Sequence, residues 1–183
     1  MEFFTASTRN LLSYEAVAGV QHHVALSVVG TDRFQENAYF RAKIAQEKLI
    51  MESGIPYSIV HATQFFEFVT MIADASTDGN QVRLPPVFIQ PIAAEDVAKA
   101  VERVSFGTPV NGVTEVAGPE RFRLDEFVRQ GLLARGDSRE VMADPSARYF
   151  GATLNDLTLV PVGQARLGEV YFEDWLTPAM SAR

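Results

Sequence analysis

The stretch Y39-F-R-A-K-I-A-Q-E-K-L-I-M-E-S-G-I-P-Y-S-I-V60 decides how the rest of the chain is read. Its first part sets Tyr39 and Lys43 four residues apart on an apparent helix that ends at Gly54 and Pro56, the residues that stop a helix. The helix is expected from about Glu36 to Ser53. The run PYSIVHAT that follows is short and rich in β-formers, which predicts a strand. Working backwards, the polar stretch TDRFQEN reads as a loop, and HHVALSVVG before it as an apolar strand closed by Gly30. That pattern suits a strand buried on both faces of a parallel sheet. The first segment, TASTRNLLSYEAVAGV, is a helix by the recurrence of Leu11, Leu12, Ala16 and Val20, with Gly19 at its stop. Helix, strand, helix, strand defines an α/β chain with a mainly parallel sheet and flanking helices.

Working forwards, QFFEFVTMIADAS is apolar and helical, while NQVRLPPVFIQPIA is extended and interrupted by prolines. AAEDVAKAVERVSFG is an amphipathic helix with Val97, Ala100, Val101 and Val104 on one stripe and Gly107 at its end. GVTEVAGPE is a strand and turn, and RLDEFVRQGLLARG a further helix. These elements place an α/β domain over residues 1–136 and a lid or tail over 137–183, where YFGATLNDLTLVPVG and VYFEDWL read as loop-rich.

Composition sets the outer limits. The chain has 183 residues, enough for one compact domain. A net charge of −7 disfavours a nucleic-acid partner, whose binding faces are usually basic. There are no cysteines, which removes disulfide and thiolate chemistry and fits the cytoplasm. No apolar run approaches the ~18 residues of a membrane span, so no membrane partner is expected. The start, MEFFTASTRN, is not a signal peptide.

Tyr39 and Lys43 are four residues apart and leave one helix face together. An ammonium beside a phenol favours phenolate, which would bring the tyrosine pKa down toward neutrality and make it a general acid or base. Ser27 precedes Tyr39 by 12 residues and lies toward the carboxyl end of its strand, where ligands collect in open α/β sheets. A serine hydroxyl there can hold a carbonyl oxygen. Chance alone would supply a Tyr-x-x-x-Lys in roughly 8% of such chains, so the position after the Ser27 strand carries the reading.

The blander readings are equally concrete. Tyr39 and Lys43 also suit a helix surface, and Ser27 a small polar residue near a strand end. Asn10 is expected on a helix surface. His22 and His23 are neighbours on a strand and point to opposite faces, so they make no chelating pair, and no metal is expected. Glu95 and Asp96 fit the first turn of their helix, favoured by its dipole. Phe65, Phe66 and Phe68 fit either a substrate pocket or the core.

The order of a serine-bearing strand, a Tyr-x-x-x-Lys helix and a Gly-x-Pro-Tyr entry to the next strand resembles the second half of the short-chain dehydrogenase/reductase fold. The fuller wording resembles its atypical, NmrA-like branch of NAD(P)H-binding proteins. It is carried by TRNLLSYEAVAGVQHHVALSVVG, YFRAKIAQEKLIMESGIPYSIVHATQFFEF, QPIAAEDVAKAV and GVTEVAGPERFRLDEFV, from Phe3 to Val128. The resemblance implies catalytic roles for Ser27, Tyr39 and Lys43, with Lys43 also on the nicotinamide ribose. It implies that His61, Ala62, Thr63 and Gln64 pass beside the nicotinamide of NADP or NAD, and that the substrate is a small carbonyl or quinone-like molecule.

The family's opening strand and glycine-rich turn, which hold the pyrophosphate, have no counterpart in this sequence. The resemblance therefore implies the catalytic half of a reductase without its first four strands, a truncated, partial Rossmann-like domain over residues 1–136. The strand near Val24–Val29 would then have a bare edge, and a homo-oligomer through that edge is expected. Two other outcomes stand beside the reductase: a non-enzymatic dinucleotide-sensing or protein-binding module, and a fragment without activity.

Overall fold

The structure is a computed structural model describing residues 2–33 and 37–181. In chain order its elements begin with helix α1 (Glu2–Ala18), strand β1 (His23–Val28), helix α2 (Ala38–Met51) and strand β2 (Tyr57–Ala62). A short 3-10 turn (Phe66–Phe68) leads into α3 (Val69–Ala75), followed by β3 (Thr77–Asp78), β4 (Gln81–Leu84) and β5 (Phe88–Ile89). Then come α4 (Ala94–Ser105), β6 (Gly112–Ala117), β7 (Phe122–Arg123), α5 (Leu124–Arg135), β8 (Glu140–Ala143), β9 (Arg166–Leu167) and α6 (Phe172–Ser181).

The main sheet has the order β1-β2-β6-β9 and every pairing in it is parallel. β1 and β2 are joined through α2, the helical crossover that parallel neighbours require. Residue parity sorts the side chains onto two faces. Ile59 points to α1 and α2, where it forms a cluster with Leu12, Ile50 and Ile55. Val60 and Ala62 point to the other face and pack with Ile92, Val97 and Val116. Ala100, Val101 and Val104 of α4 close that side, so the stripe expected from the sequence is the packed one. Ile50 and Ile59 are fully buried, and truncating either to alanine should cost about 2–5 kcal/mol.

A second core lies among α3, α5, α6 and the three-stranded sheet β3-β4-β8. Its centre is aromatic: the Phe127 and Phe172 rings are 4.6 Å apart, and Phe66 lies 5.0 Å from Phe172. VYFEDWL, read from sequence as part of a loop-rich tail, instead opens α6 and sends Phe172 and Leu176 into this core.

β1 also departs from expectation. Its two faces are not equally covered, because Leu26 is 42% exposed. β1 is the edge strand of the main sheet, and none of its residues joins the apolar cluster that α4 forms with β2 and β6. α2 starts at Ala38, with the Asn37 side chain accepting from the Tyr39 amide at 2.8 Å, an N-cap that sets the helix start. The expected start near Glu36 falls in residues 34–36, outside the described residues. After β1, Gly30 adopts φ +87°, and a Cβ there would sit 2.5 Å from the Thr158 carbonyl oxygen. Only glycine permits that approach. The Arg33 guanidinium, donating to the carbonyls of Leu157 and Val160, ties the same loop to the C-terminal segment.

Asp96 has a larger role than the dipole reading gave it. Its buried carboxylate accepts from the Glu169 and Val170 amides at 2.8 and 2.9 Å and from Lys99 at 3.2 Å. Burial pushes its pKa up, but the Val170 amide, Lys99 and the Glu169 amide together hold it below the usual carboxylate value. It fastens the approach to α6 onto α4.

Candidate active site

The carboxyl ends of β1 and β2, the start of α2 and the segment after β2 enclose a cavity of about 520 Å³. Ser27 comes to it from β1 and Tyr39 from the first turn of α2. Ala62, Thr63 and Gln64 come from the end of β2 and beyond, while Tyr149 and Phe150 close the far side. Asn37 joins two of these walls, since its amide donates to the Phe150 carbonyl at 3.3 Å. The three phenylalanines after β2 divide their labour. Phe65 and Phe68 line the cavity and stack at 5.3 Å with planes 9° apart, while Phe66 is fully buried in the aromatic core.

Two of the seven residues singled out from sequence lie outside the cavity wall: Lys43 and His61. Lys43 is buried on the α2 side of the sheet. Its ammonium donates to the Leu26 carbonyl at 2.9 Å and to the Gln46 side chain, beneath the Phe4 ring. This corrects the expected electrostatics. Burial pushes the Lys43 pKa down, with the Glu47 carboxylate pulling partly the other way. Burial pushes the Tyr39 pKa up rather than toward neutrality. The physical reason is direction: the ammonium is spent on a strand carbonyl and a glutamine, and the phenol ring packs between Phe4 and Phe40.

His61 faces the same way as Lys43. In the parallel register Ser27 is opposite His61, and both aim at α2. There they meet Glu47, which sequence reasoning did not single out. Glu47 Oε1 accepts the Ser27 hydroxyl and lies 3.1 Å from His61 Nε2. Glu47 is 6% exposed. The signal was present in the spacing, because Glu47 follows Lys43 by one helical turn and shares its face.

The remaining polar atoms of the inner wall are of another kind. Thr63 Oγ1 and Gln64 Oε1 are buried and have no hydrogen-bond partner. Buried polar side-chain atoms are nearly always paired in native structures, so two orphans on consecutive residues of a cavity wall need a reason. The other histidines are accounted for: His22 Nε2 lies 2.9 Å from Ser58 Oγ, and His23 Nδ1 2.7 Å from Glu15. No cluster suited to a metal ion occurs among the described residues.

No protein-family model matches the chain, and no curated protein is found as a relative. Solved structures match its fold. An NADPH-dependent quinone oxidoreductase from Escherichia coli superposes with a TM-score of 0.61 at 21% identity, over 75% of this chain and 50% of that one. A nucleoside-diphosphate-sugar epimerase from Staphylococcus aureus does so with a TM-score of 0.59 at 14% identity, over 75% and 50%. An NAD-dependent NDP-hexosamine 5,6-dehydratase involved in tunicamycin biosynthesis gives 0.65 at 12% identity, over 97% and 68%. At these identities the likeness defines the fold: a Rossmann-like α/β chain with a mainly parallel central sheet flanked by helices. The chain spans about half the length of the oxidoreductase and the epimerase. No helix among the described residues is long and apolar enough to cross a membrane.

Proposed function

We propose that this chain carries the nicotinamide end of an NAD(P)H-dependent oxidoreductase site acting on a small carbonyl or quinone-like substrate. One observation carries the reading: a largely apolar cavity at the strand ends is lined by Tyr39, Ser27, Thr63 and Gln64, and the last two carry buried polar atoms without partners, Thr63 Oγ1 and Gln64 Oε1. Those two atoms suit a carboxamide, which offers both a donor and an acceptor, so the residues present fit a nicotinamide ring. No glycine-rich phosphate cradle accompanies them among the described residues, and the reading extends only to this end of the dinucleotide.

A bound reduced nicotinamide would supply the hydride. Thr63 and Gln64 would hold and orient the ring edge. Tyr39 stands at the cavity wall as the acid that gives a proton to the substrate oxygen. Burial raises its pKa, so the phenol stays protonated through neutral pH and serves as a donor. Ser27 lines the same cavity, while its hydroxyl donates to Glu47 on the α2 side. Lys43 acts from behind the wall, holding the Leu26 carbonyl and so the end of β1 beside Ser27. Phe65 and Phe68 offer a flat apolar face to the substrate ring.

We also propose that the chain associates with a second copy through β1, the edge strand of the main sheet. β1 pairs only with β2 among the described residues and leaves Leu26 exposed. Leu11, Tyr14 and Val17 of α1 are exposed too, from 52% to 89%. Unpaired strand edges beside apolar surface favour association.

Titration with NADPH and NADH, followed by nicotinamide fluorescence and then by turnover, tests the main reading. Binding with turnover that disappears in Tyr39→Phe supports the oxidoreductase. Binding without turnover supports the sensing module, and absence of binding to either dinucleotide removes both readings for this chain.

A further inference from the structure

Resting on the reading of this cavity as a substrate site, we infer that Asn37 is a positioning residue that joins two of its walls, fixing Tyr39 with one end of its amide and turn 149–152 with the other. The two ends have opposite tasks. Asn37 Oδ1 accepts the Tyr39 amide at 2.8 Å, and Nδ2 donates to the Phe150 carbonyl at 3.3 Å. The first bond assigns the second: an oxygen that accepts from a backbone amide leaves the NH2 group for a carbonyl. Asn37, Tyr39 and Phe150 all line the cavity.

The far wall is one that needs holding. Residues 149–152 close on themselves, the Tyr149 amide donating to the Ala152 carbonyl at 2.9 Å and the Ala152 amide to the Tyr149 carbonyl at 3.1 Å. Between them Phe150 has φ +47° and Gly151 φ +85°. Positive φ at both central residues makes the turn that asparagine and glycine fill at little cost. Phenylalanine fits it poorly, because its Cβ crowds the backbone in the left-handed region. Backbone in such a region persists where its surroundings over-determine it. Here the surroundings include the Tyr149 ring, edge-on to Phe150 at 4.8 Å, and the Arg148 side chain, which donates to the Gly151 carbonyl at 3.2 Å. Asn37 adds the bond that arrives from the other wall. Further along, Arg33 pins Leu157 and Val160 to the loop after β1, so Asn37 fastens the cavity end of a segment already anchored at its other end.

Other capping residues would do half of this work. Aspartate and serine cap a helix about as well as asparagine, since each accepts from the same amide. Neither brings an amide donor to the Phe150 carbonyl: a carboxylate oxygen would meet it with lone pairs, and a serine side chain is too short to cross. Asn37→Asp and Asn37→Ser therefore cut the far wall loose while leaving Tyr39 held, and Asn37→Ala releases both.

Amide hydrogen exchange on the whole chain, with no dinucleotide present, reads each end separately. In Asn37→Asp and Asn37→Ser, protection at Tyr149 and Ala152 should fall about fivefold, the equivalent of one net hydrogen bond, while the Tyr39 amide keeps its protection. In Asn37→Ala the Tyr39 amide should lose protection as well. Acetophenone, a small aryl ketone, is the ligand probe. Its dissociation constant, from NMR shift titration without dinucleotide, should rise about fivefold in the two capping variants. In turnover with NADPH and acetophenone their loss should fall chiefly on KM, and that of Asn37→Ala on kcat also. Undiminished protection at Tyr149 and Ala152 in either capping variant overturns the inference, as does an unaltered acetophenone affinity or failure of acetophenone to bind the wild type. Lost protection at Tyr39 in the capping variants overturns it too, because the two ends would then not be separable. Dinucleotide binding and turnover without these effects would sink this inference alone. The exchange and affinity effects without dinucleotide binding would sink the oxidoreductase reading alone.

Discussion

The two sides of the β1–β2 strand ends treat their polar atoms in opposite ways. On the α2 side the network is closed: Ser27 donates to Glu47, Glu47 meets His61, Lys43 donates to Leu26 and Gln46, and Gln46 donates to Thr8. On the cavity side Thr63 Oγ1 and Gln64 Oε1 are as deeply buried and meet nothing. An unmet buried polar group costs about 1–3 kcal/mol. A closed network serves the fold, whereas an open one at a cavity is explained by a ligand that completes it. Substitutions on the first side should therefore show in stability, and those on the second in binding and turnover.

The largest effect belongs to the cavity. Tyr39→Phe should lower kcat by at least about a hundredfold while leaving dinucleotide affinity nearly unchanged, because it removes a proton donor and little else. Steady-state kinetics beside a fluorescence titration separates the two. An unchanged kcat would remove Tyr39 from the chemistry.

Next come the closed networks. Glu47→Ala strands the buried Ser27 hydroxyl and removes the carboxylate that favours the Lys43 charge, and should cost about 2 kcal/mol in denaturant unfolding. Asp96→Ala, which leaves the Glu169 and Val170 amides unmet, should cost about 2 kcal/mol. The Asp96 contribution is present above the ordinary carboxylate pKa and should fade as pH falls through its lowered folded value. A wild-type-like unfolding midpoint for either variant would show that the network is not what holds the strand ends.

Much of this fold is legible from local signals. Gly19, Gly30, Gly54 and Gly136 all adopt positive φ at element ends, so glycine punctuation marks the helix–strand alternation. Ala62 to Gln64 follow directly from a β-rich run that ends at the sheet's carboxyl edge. What escapes is set by distant packing. α6 looks like a tail because its reason for being a helix is Phe172 against Phe66 and Phe127, far away in sequence. Asp96 looks like a dipole-favoured first-turn acid until the amides of Glu169 and Val170 arrive from the far end of the chain. Spacing puts Tyr39 and Lys43 on one helix, but the direction of the ammonium depends on the Leu26 carbonyl, Gln46 and Phe4.

Lys43 offers a finer test of that direction. Burial lowers its folded-state pKa, so the folded protein releases this proton before the unfolded chain does. Below the lowered value the penalty for a buried charge is fully present. Stability should rise as pH climbs from there toward the ordinary lysine value of 10.5. Lys43→Met should flatten that rise in midpoints measured across the alkaline range, and a profile that keeps its slope would mean the ammonium is better solvated than its surroundings imply. The smallest effect belongs to the sheet edge. Leu26→Lys places a charge on β1 and should shift sizing profiles toward the monomer with little change in folding stability. An unchanged profile would remove β1 as the site of association.

The comparison between the two sides is tested most directly by Thr63→Val, read twice on one preparation. Replacing an unmet buried hydroxyl by a methyl group of the same shape should leave the protein as stable or more stable, by up to about 1 kcal/mol in denaturant unfolding. The same change should weaken NADPH or NADH binding about fivefold or more. A variant that loses stability and binds dinucleotide as well as the wild type would show that Thr63 serves the fold, and would contradict the account.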